Sequence, residues 1–208
     1  MDFYQQYIAK SRYSRYLDGP GRREDWFETV DRYMDFMKNQ LETKMNYTIP
    51  METDSELREA IKNLEIVPSM RAIMTAGKAL DRDNTAGYNC SYLPVDDPKC
   101  FDEAMYILLC GTGVGFSVES KYVDKLPEVP HMMFESDSTV VVSDSKEGWA
   151  KALRQVIALL YSGEVPKWNT DKVRPEGARL KTFGGRASGP GPLNELFDFC
   201  CRKFKGAT

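Results

Sequence analysis

The chain opens with polar and apolar residues alternating at helical spacing. Between Glu24 and Lys44, the residues Trp26, Val30, Tyr33, Met34, Met37 and Leu41 fall on one face, and Glu24 and Asp25 occupy the first turn, where acidic groups suit the positive helix end. A second helix is predicted after Thr53, with Leu57, Ile61 and Leu64 on one side. Residues 1–65 therefore read as a helical region, and the pattern changes over residues 66–208. Pro68 to Gly77 is a short irregular or helical stretch. Tyr88 to Leu93 reads as a strand ended by Pro94, and Cys100 to Cys110 as an apolar helix running into Gly111–Gly115. Phe116 to Glu119 reads as a strand, Ser120 to Ser138 as a loop, and Thr139 to Val142 as another short strand.

A helix is predicted from Ser143–Glu147, with Asp144 as cap and Glu147 reaching back three residues later. Trp149, Leu153, Val156, Ile157 and Leu160 share its face, and Gly163 closes it. Glu164 to Arg179 reads as a polar connector and Thr182 to Pro190 as a loop. A last helix carries Leu193, Leu196, Phe197, Cys200 and Phe204. Helices alternating with strands predict an α/β fold.

Composition narrows the function classes. The 208 residues are 42% hydrophobic and 28% charged, an ordinary globular mix, and the net charge of −3 gives no positive field to gather nucleic acid. The apolar runs YILLC and VIALLY are far shorter than the roughly 20 residues of a membrane span. The polar, aromatic start MDFYQQYIAKSRYSRY is unlike a signal peptide, so a cytoplasmic location is expected. Five cysteines with no CxxC, and His131 as the one histidine, predict neither a structural metal site nor a disulfide scaffold.

Three features could carry chemistry. Gly111-Thr112-Gly113-Val114-Gly115-Phe116 lies between helix and strand, the reverse of the usual phosphate-binding order, and no GK[ST] follows. It is either a tight turn or a close backbone approach to a flat or anionic ligand. Gly184-Gly185-Arg186-Ala187-Ser188-Gly189 is either a solvated connector or a loop that closes over a nucleotide, with Arg186 on phosphate or base. Cys90 stands in a candidate strand between residues that supply neither a base nor a second thiol, so its spacing leaves a core role open beside a reactive one.

Taken in order, several segments resemble one family. Ser11–Tyr16, Gly21–Trp26, Glu28–Arg32, Pro68–Gly77, Asn89-Cys90-Ser91-Tyr92, Gly111–Phe116, Asp144–Trp149, Val173–Ala178 and Pro192-Leu193 are similar to landmarks of the class II, adenosylcobalamin-dependent ribonucleotide reductases. The resemblance spans almost the whole chain. It implies N-terminal helices followed by about half of a ten-stranded α/β barrel, including a glycine loop and a specificity loop. It also implies a mechanism in which a thiyl radical takes the 3′ hydrogen of the substrate ribose. Two further thiols then reduce the 2′ carbon and end as a disulfide, which a thioredoxin-like reductant resets.

By this resemblance Cys90 is the first thiol of that redox pair. Ser69, Asn89, Gly111, Thr112 and Gly113 border the substrate. Lys121, Lys181, Gly184, Gly185 and Arg186 belong to the effector and specificity region, where a deoxynucleotide or ATP would act. The thiyl cysteine, the second redox cysteine and the catalytic carboxylate have no match in this sequence, nor does a cobalamin site. The expectation is therefore the N-terminal part of a reductase that works with a companion C-terminal half binding most of the cofactor. No direct nucleic-acid or membrane partner is expected. Two alternatives stand beside it: a fragment of a class I large subunit, and a non-catalytic remnant that binds a nucleotide or a partner.

Overall fold

The computed structural model describes residues 1–180, 182 and 185–207. They form two compact units, Met1–Asn89 with Thr182, and Cys90–Leu180 with Gly185–Ala207. Among the described residues no helix is long and apolar enough to cross a membrane.

The first unit begins with α1 (Phe3–Ile8), a π-helical turn at Ala9–Tyr13, and a short antiparallel hairpin of β1 (Tyr16–Leu17) and β2 (Arg22–Arg23). The amphipathic pattern at the start of the chain becomes α2 (Trp26–Met45). Asp25 caps it: its carboxylate accepts the Glu28 N–H at 2.8 Å, and the Glu28 carboxylate accepts the Asp25 N–H at 2.8 Å. Next come α3 (Met51–Lys62), α4 (Met70–Thr75), α5 (Lys78–Arg82) and a 3-10 turn at Asn84–Gly87. Val30 and Met34 of α2 pack on Ile61 of α3, flanked by Trp26 and Tyr33. The Trp26 indole donates to the Lys62 carbonyl at 3.1 Å.

Glu24 lies outside the first turn of α2, buried at 4% exposure, where it accepts from Arg32, the Thr29 hydroxyl and the Arg15 N–H. Arg32 also donates to the Ile73 and Ala76 carbonyls. This polar network holds α4 against α2, which is why the first compact unit runs on past residue 65 to Asn89.

The second unit contains β3 (Cys90–Pro94), α6 (Cys100–Leu109), β4 (Gly113–Ser117), α7 (Ser120–Val123), β5 (Phe134–Val141), α8 (Lys146–Tyr161), β6 (Glu164–Asn169) and α9 (Gly191–Lys205). β3 pairs parallel with β4, and β5 pairs parallel with β6. Parallel neighbours need a crossover, and α6 and α8 supply it. The fold is α/β, as the alternating pattern predicts, and β–α–β pairs are what part of an α/β barrel is built from.

The main core lies between α8, α9 and the β5–β6 pair, with Val156, Leu160, Leu193 and Phe197 fully enclosed. α6 and α8 are joined by Asp102, 4% exposed, whose carboxylate accepts from Arg154 at 2.7 and 3.0 Å.

Four sequence expectations are corrected. The strand expected at Phe116 starts at Gly113, inside the glycine run. The loop expected over Ser120–Ser138 contains α7 and the start of β5. The cap of α8 is Ser145, whose hydroxyl accepts the Gly148 N–H at 3.0 Å, because Asp144 is drawn off to Arg174 at 2.9 Å. The polar connector after Gly163 begins with β6. Pro166 disguised that strand. It is tolerated because it faces the bulge between Glu135 and Thr139, where the ladder is interrupted and no N–H is required.

Candidate functional site

In the register of the β3–β4 pair, Cys90 lies beside Gly113, Ser91 beside Val114, and Tyr92 beside Gly115. Partners in a parallel ladder point to the same side, and side chains alternate along each strand. One face therefore presents Cys90 and Tyr92 beside two glycines. The other has Leu93 buried and Ser91 and Val114 half-buried, on the side where α6 packs. Cys90 is an exposed free thiol. With hydrogen in place of side chains at positions 113 and 115, the thiol borders a flat, open floor of backbone. No other cysteine occurs on β3 or β4.

The geometry of α6 explains the floor. Gly111 takes φ +83°, its N–H donates to Leu108 at 2.8 Å, and the Thr112 N–H donates to Ile107 at 3.2 Å. These two bonds are the glycine-dependent close of a helix, satisfying the last carbonyls of α6. Gly111 is thus a helix terminator, and Thr112 is buried behind it at 1% exposure. Gly113 starts β4, and its carbonyl accepts the Ser91 hydroxyl at 3.1 Å. The tight-turn reading of the glycine run describes Gly111, while Gly113 and Gly115 belong to β4.

The other expected site residues fall elsewhere. Ser69 caps α4, its oxygen 3.5 Å from the Ala72 N–H, and is exposed. Asn89 is exposed immediately before β3, at the end of the first unit. Lys121 sits on α7, 3.3 Å from Glu119 and over the Tyr122 ring. Gly185 takes φ +89° and accepts the Leu180 N–H. Arg186 pairs across a short bridge with Arg179 and donates to the Gly177 carbonyl at 3.0 Å. Lys181 and Gly184 lie outside the described residues.

The remaining cysteines are packed away. Cys100, Cys110 and Cys201 are buried and Cys200 is half-buried. Burial, reinforced by the Glu103 and Asp96 carboxylates, pushes the Cys100 thiol up to about 11. Burial also raises Cys200 and Cys201. The Lys146 ammonium lies 3.1 Å from the Cys110 sulfur and over the Tyr106 ring.

Known proteins bear on this arrangement. The profile of the family described as B12-dependent ribonucleotide reductase, insertion domain, matches residues 117–200. A protein of Mycobacterium phage D29 is 28% identical over 94% of this chain and 33% of its own length. Adenosylcobalamin-dependent ribonucleoside-triphosphate reductases of Lactobacillus helveticus and Euglena gracilis are 23% and 26% identical, over 90% and 88% of this chain. A crystal structure of a B12-dependent (class II) ribonucleotide reductase superimposes on 97% of the chain with a TM-score of 0.81 at 21% identity.

Over most of its length this chain is similar to adenosylcobalamin-dependent ribonucleotide reductases. It spans about a third of the length of these reductases, 34% of the Lactobacillus helveticus enzyme and 27% of the Euglena gracilis one. Its fold is that of the corresponding part of the class II structure, of which it covers 37%.

Among the described residues no three His, Cys, Asp or Glu side chains gather as metal ligands. A groove of about 440 Å³ between β6 and α9 is of a size for a small ligand. Its walls mix the charged Glu135, Asp198, Lys167, Arg202 and Lys205 with Val165, Pro166, Trp168 and Cys201.

Sequence reasoning did not single out Tyr92. The signal was its spacing two residues from Cys90, which becomes informative only once the pairing with Gly115 is known.

Proposed function

We propose that this chain is the portion of a class II ribonucleotide reductase that carries the first reducing thiol and part of the substrate and effector sites. It would work in the cytoplasm with a companion polypeptide that supplies the rest of the enzyme and holds adenosylcobalamin, the source of the radical. The observation that carries the reading is the exposed Cys90 beside the side-chain-free backbone of Gly113 and Gly115. A nucleotide ribose could lie flat on that floor with its 2′ carbon against the sulfur.

In the proposed reduction, Cys90 and a second thiol each give up a proton and an electron. The 2′ hydroxyl leaves as water, a hydrogen takes its place, and the two sulfurs join as a disulfide. That second thiol comes from outside β3 and β4. A thioredoxin-like dithiol then exchanges with the disulfide, an exchange for which the exposure of Cys90 suits it. Asn89 and Ser69 are proposed as polar contacts to the substrate, with Gly111 and Thr112 shaping the turn beneath it. Lys121, Gly185 and Arg186, with Lys181 and Gly184, are proposed to transmit which deoxynucleotide or ATP effector is bound. Division of the chain into a helical region over 1–65 and a half-barrel over 66–208 is part of the same proposal.

The test is steady-state deoxynucleotide formation by the enzyme reassembled with its companion half, adenosylcobalamin and a dithiol. Cys90→Ser is expected to stop multiple turnover, because a hydroxyl cannot form the product disulfide. Cys110→Ser and Cys200→Ser are expected to retain turnover, since both sit in packed surroundings. Normal turnover by Cys90→Ser would remove the proposal.

A further inference from the structure

The face that presents Cys90 also presents Tyr92, two positions along β3 and so about 7 Å away at strand spacing. A strand tyrosine normally packs on a side chain of the adjacent strand. Here the residue across the ladder is Gly115, and the next one toward Cys90 is Gly113. The ring therefore has no β4 side chain directly across from it or on the side toward Cys90, and Tyr92 is 61% exposed. Leaving an aromatic side chain in water forgoes roughly 1.5–3 kcal/mol of burial.

The phenol end, by contrast, is held. It hydrogen-bonds with Tyr122 and Ser117. The Ser117 hydroxyl in turn donates to Glu119 at 2.9 Å, and the Lys121 ammonium lies 4.8 Å over the Tyr122 ring. An aromatic ring fixed at its polar tip and bare along its face is oriented for a flat partner lying on the glycine floor.

We infer that Tyr92 is a second substrate-contacting side chain: its ring packs against the sugar and base of the nucleotide whose 2′ carbon faces Cys90, while Tyr122 and Ser117 hold the phenol. This rests on the proposed role of Cys90. Desolvation, with the Tyr122 hydrogen bond, raises the Tyr92 phenol above its ordinary value, so at neutral pH it is a neutral group suited to stacking.

The experiment uses this chain reassembled with its companion half, with CTP as the probe. The rate at which iodoacetamide alkylates Cys90 is followed by mass spectrometry of its peptide as CTP is added. CTP is expected to slow alkylation of the wild-type chain. In Tyr92→Ala the CTP concentration for half-protection is expected to rise about tenfold, within the range measured when a stacking aromatic is removed. Tyr92→Phe, which keeps the ring, is expected to stay within about threefold of wild type. Tyr92 is exposed, so neither variant opens a core cavity, and equal thermal midpoints would show both intact.

Protection in wild type that persists unchanged in Tyr92→Ala overturns the Tyr92 inference and leaves the Cys90 reading standing. A loss in Tyr92→Phe as large as in Tyr92→Ala also overturns it, since the ring would then not be the contact. No protection of the wild-type chain at any CTP concentration overturns the Cys90 reading and the inference with it.

Discussion

Five cysteines of one type occupy very different surroundings, and their reactivities should separate accordingly. Cys90 is exposed, whereas burial, with the nearby carboxylates, holds the Cys100 thiol up at about 11. At pH 8 the Cys100 thiol remains protonated, and only thiolate reacts with iodoacetamide. Timed alkylation with peptide mass spectrometry is expected to label Cys90 first and Cys100, Cys200 and Cys201 only after unfolding. Labelling of Cys100 at the same rate as Cys90 in the folded chain would contradict the placement. Sequence showed Cys90 as a strand residue but could not show its open face, because that depends on Gly113 arriving beside it from 23 positions downstream, with Gly115 beside Tyr92. The same pairing hid Tyr92. Gly111 was the more legible residue, since helix-ending glycines act within their own turn.

At the scale of elements, two devices set the site. The first is the close of α6 by Gly111 at φ +83°, which delivers the chain into β4 beside Cys90. Gly111→Ala should cost about 1 kcal/mol from the left-handed backbone alone, read as a lowered urea midpoint. The second is the Asp102–Arg154 pair between α6 and α8. Arg154→Met strands a buried carboxylate and should cost about 2 kcal/mol. This is less than the loss from a fully buried pair, because Arg154 is itself half-exposed.

The cap of α2 makes a pH prediction. Arg22 and the Asp25 N–H hold the Glu28 carboxyl at about 2, below its ordinary 4.5. A depressed carboxyl stabilises the fold above the unfolded value and loses that contribution as pH falls from 4.5 toward 2. The thermal midpoint of Arg22→Ala should therefore lie below wild type at pH 7, and the two should converge near pH 2. A constant gap across that range would contradict the assignment. Long amphipathic helices such as α2 and α8 were legible because their periodicity is local. β6 was not, because Pro166 breaks the alternation and only the bulge opposite makes it acceptable.

At the scale of the whole molecule, the chain folds as two units and spans about a third of the reductases it resembles. The α/β class followed from the alternation of helices and strands. The division at Asn89 did not, because it depends on Arg32 reaching the carbonyls of α4. The central claim is that Cys90 gives up its hydrogen to a nucleotide and ends in a disulfide. It is tested most directly by a single turnover of the reassembled enzyme with adenosylcobalamin and one equivalent of CTP, with no external dithiol. The quenched protein is then digested and mapped. The account predicts a Cys90 peptide disulfide-linked to a cysteine of the companion polypeptide, in proportion to the dCTP formed. Formation of dCTP with Cys90 recovered entirely as a free thiol would contradict it.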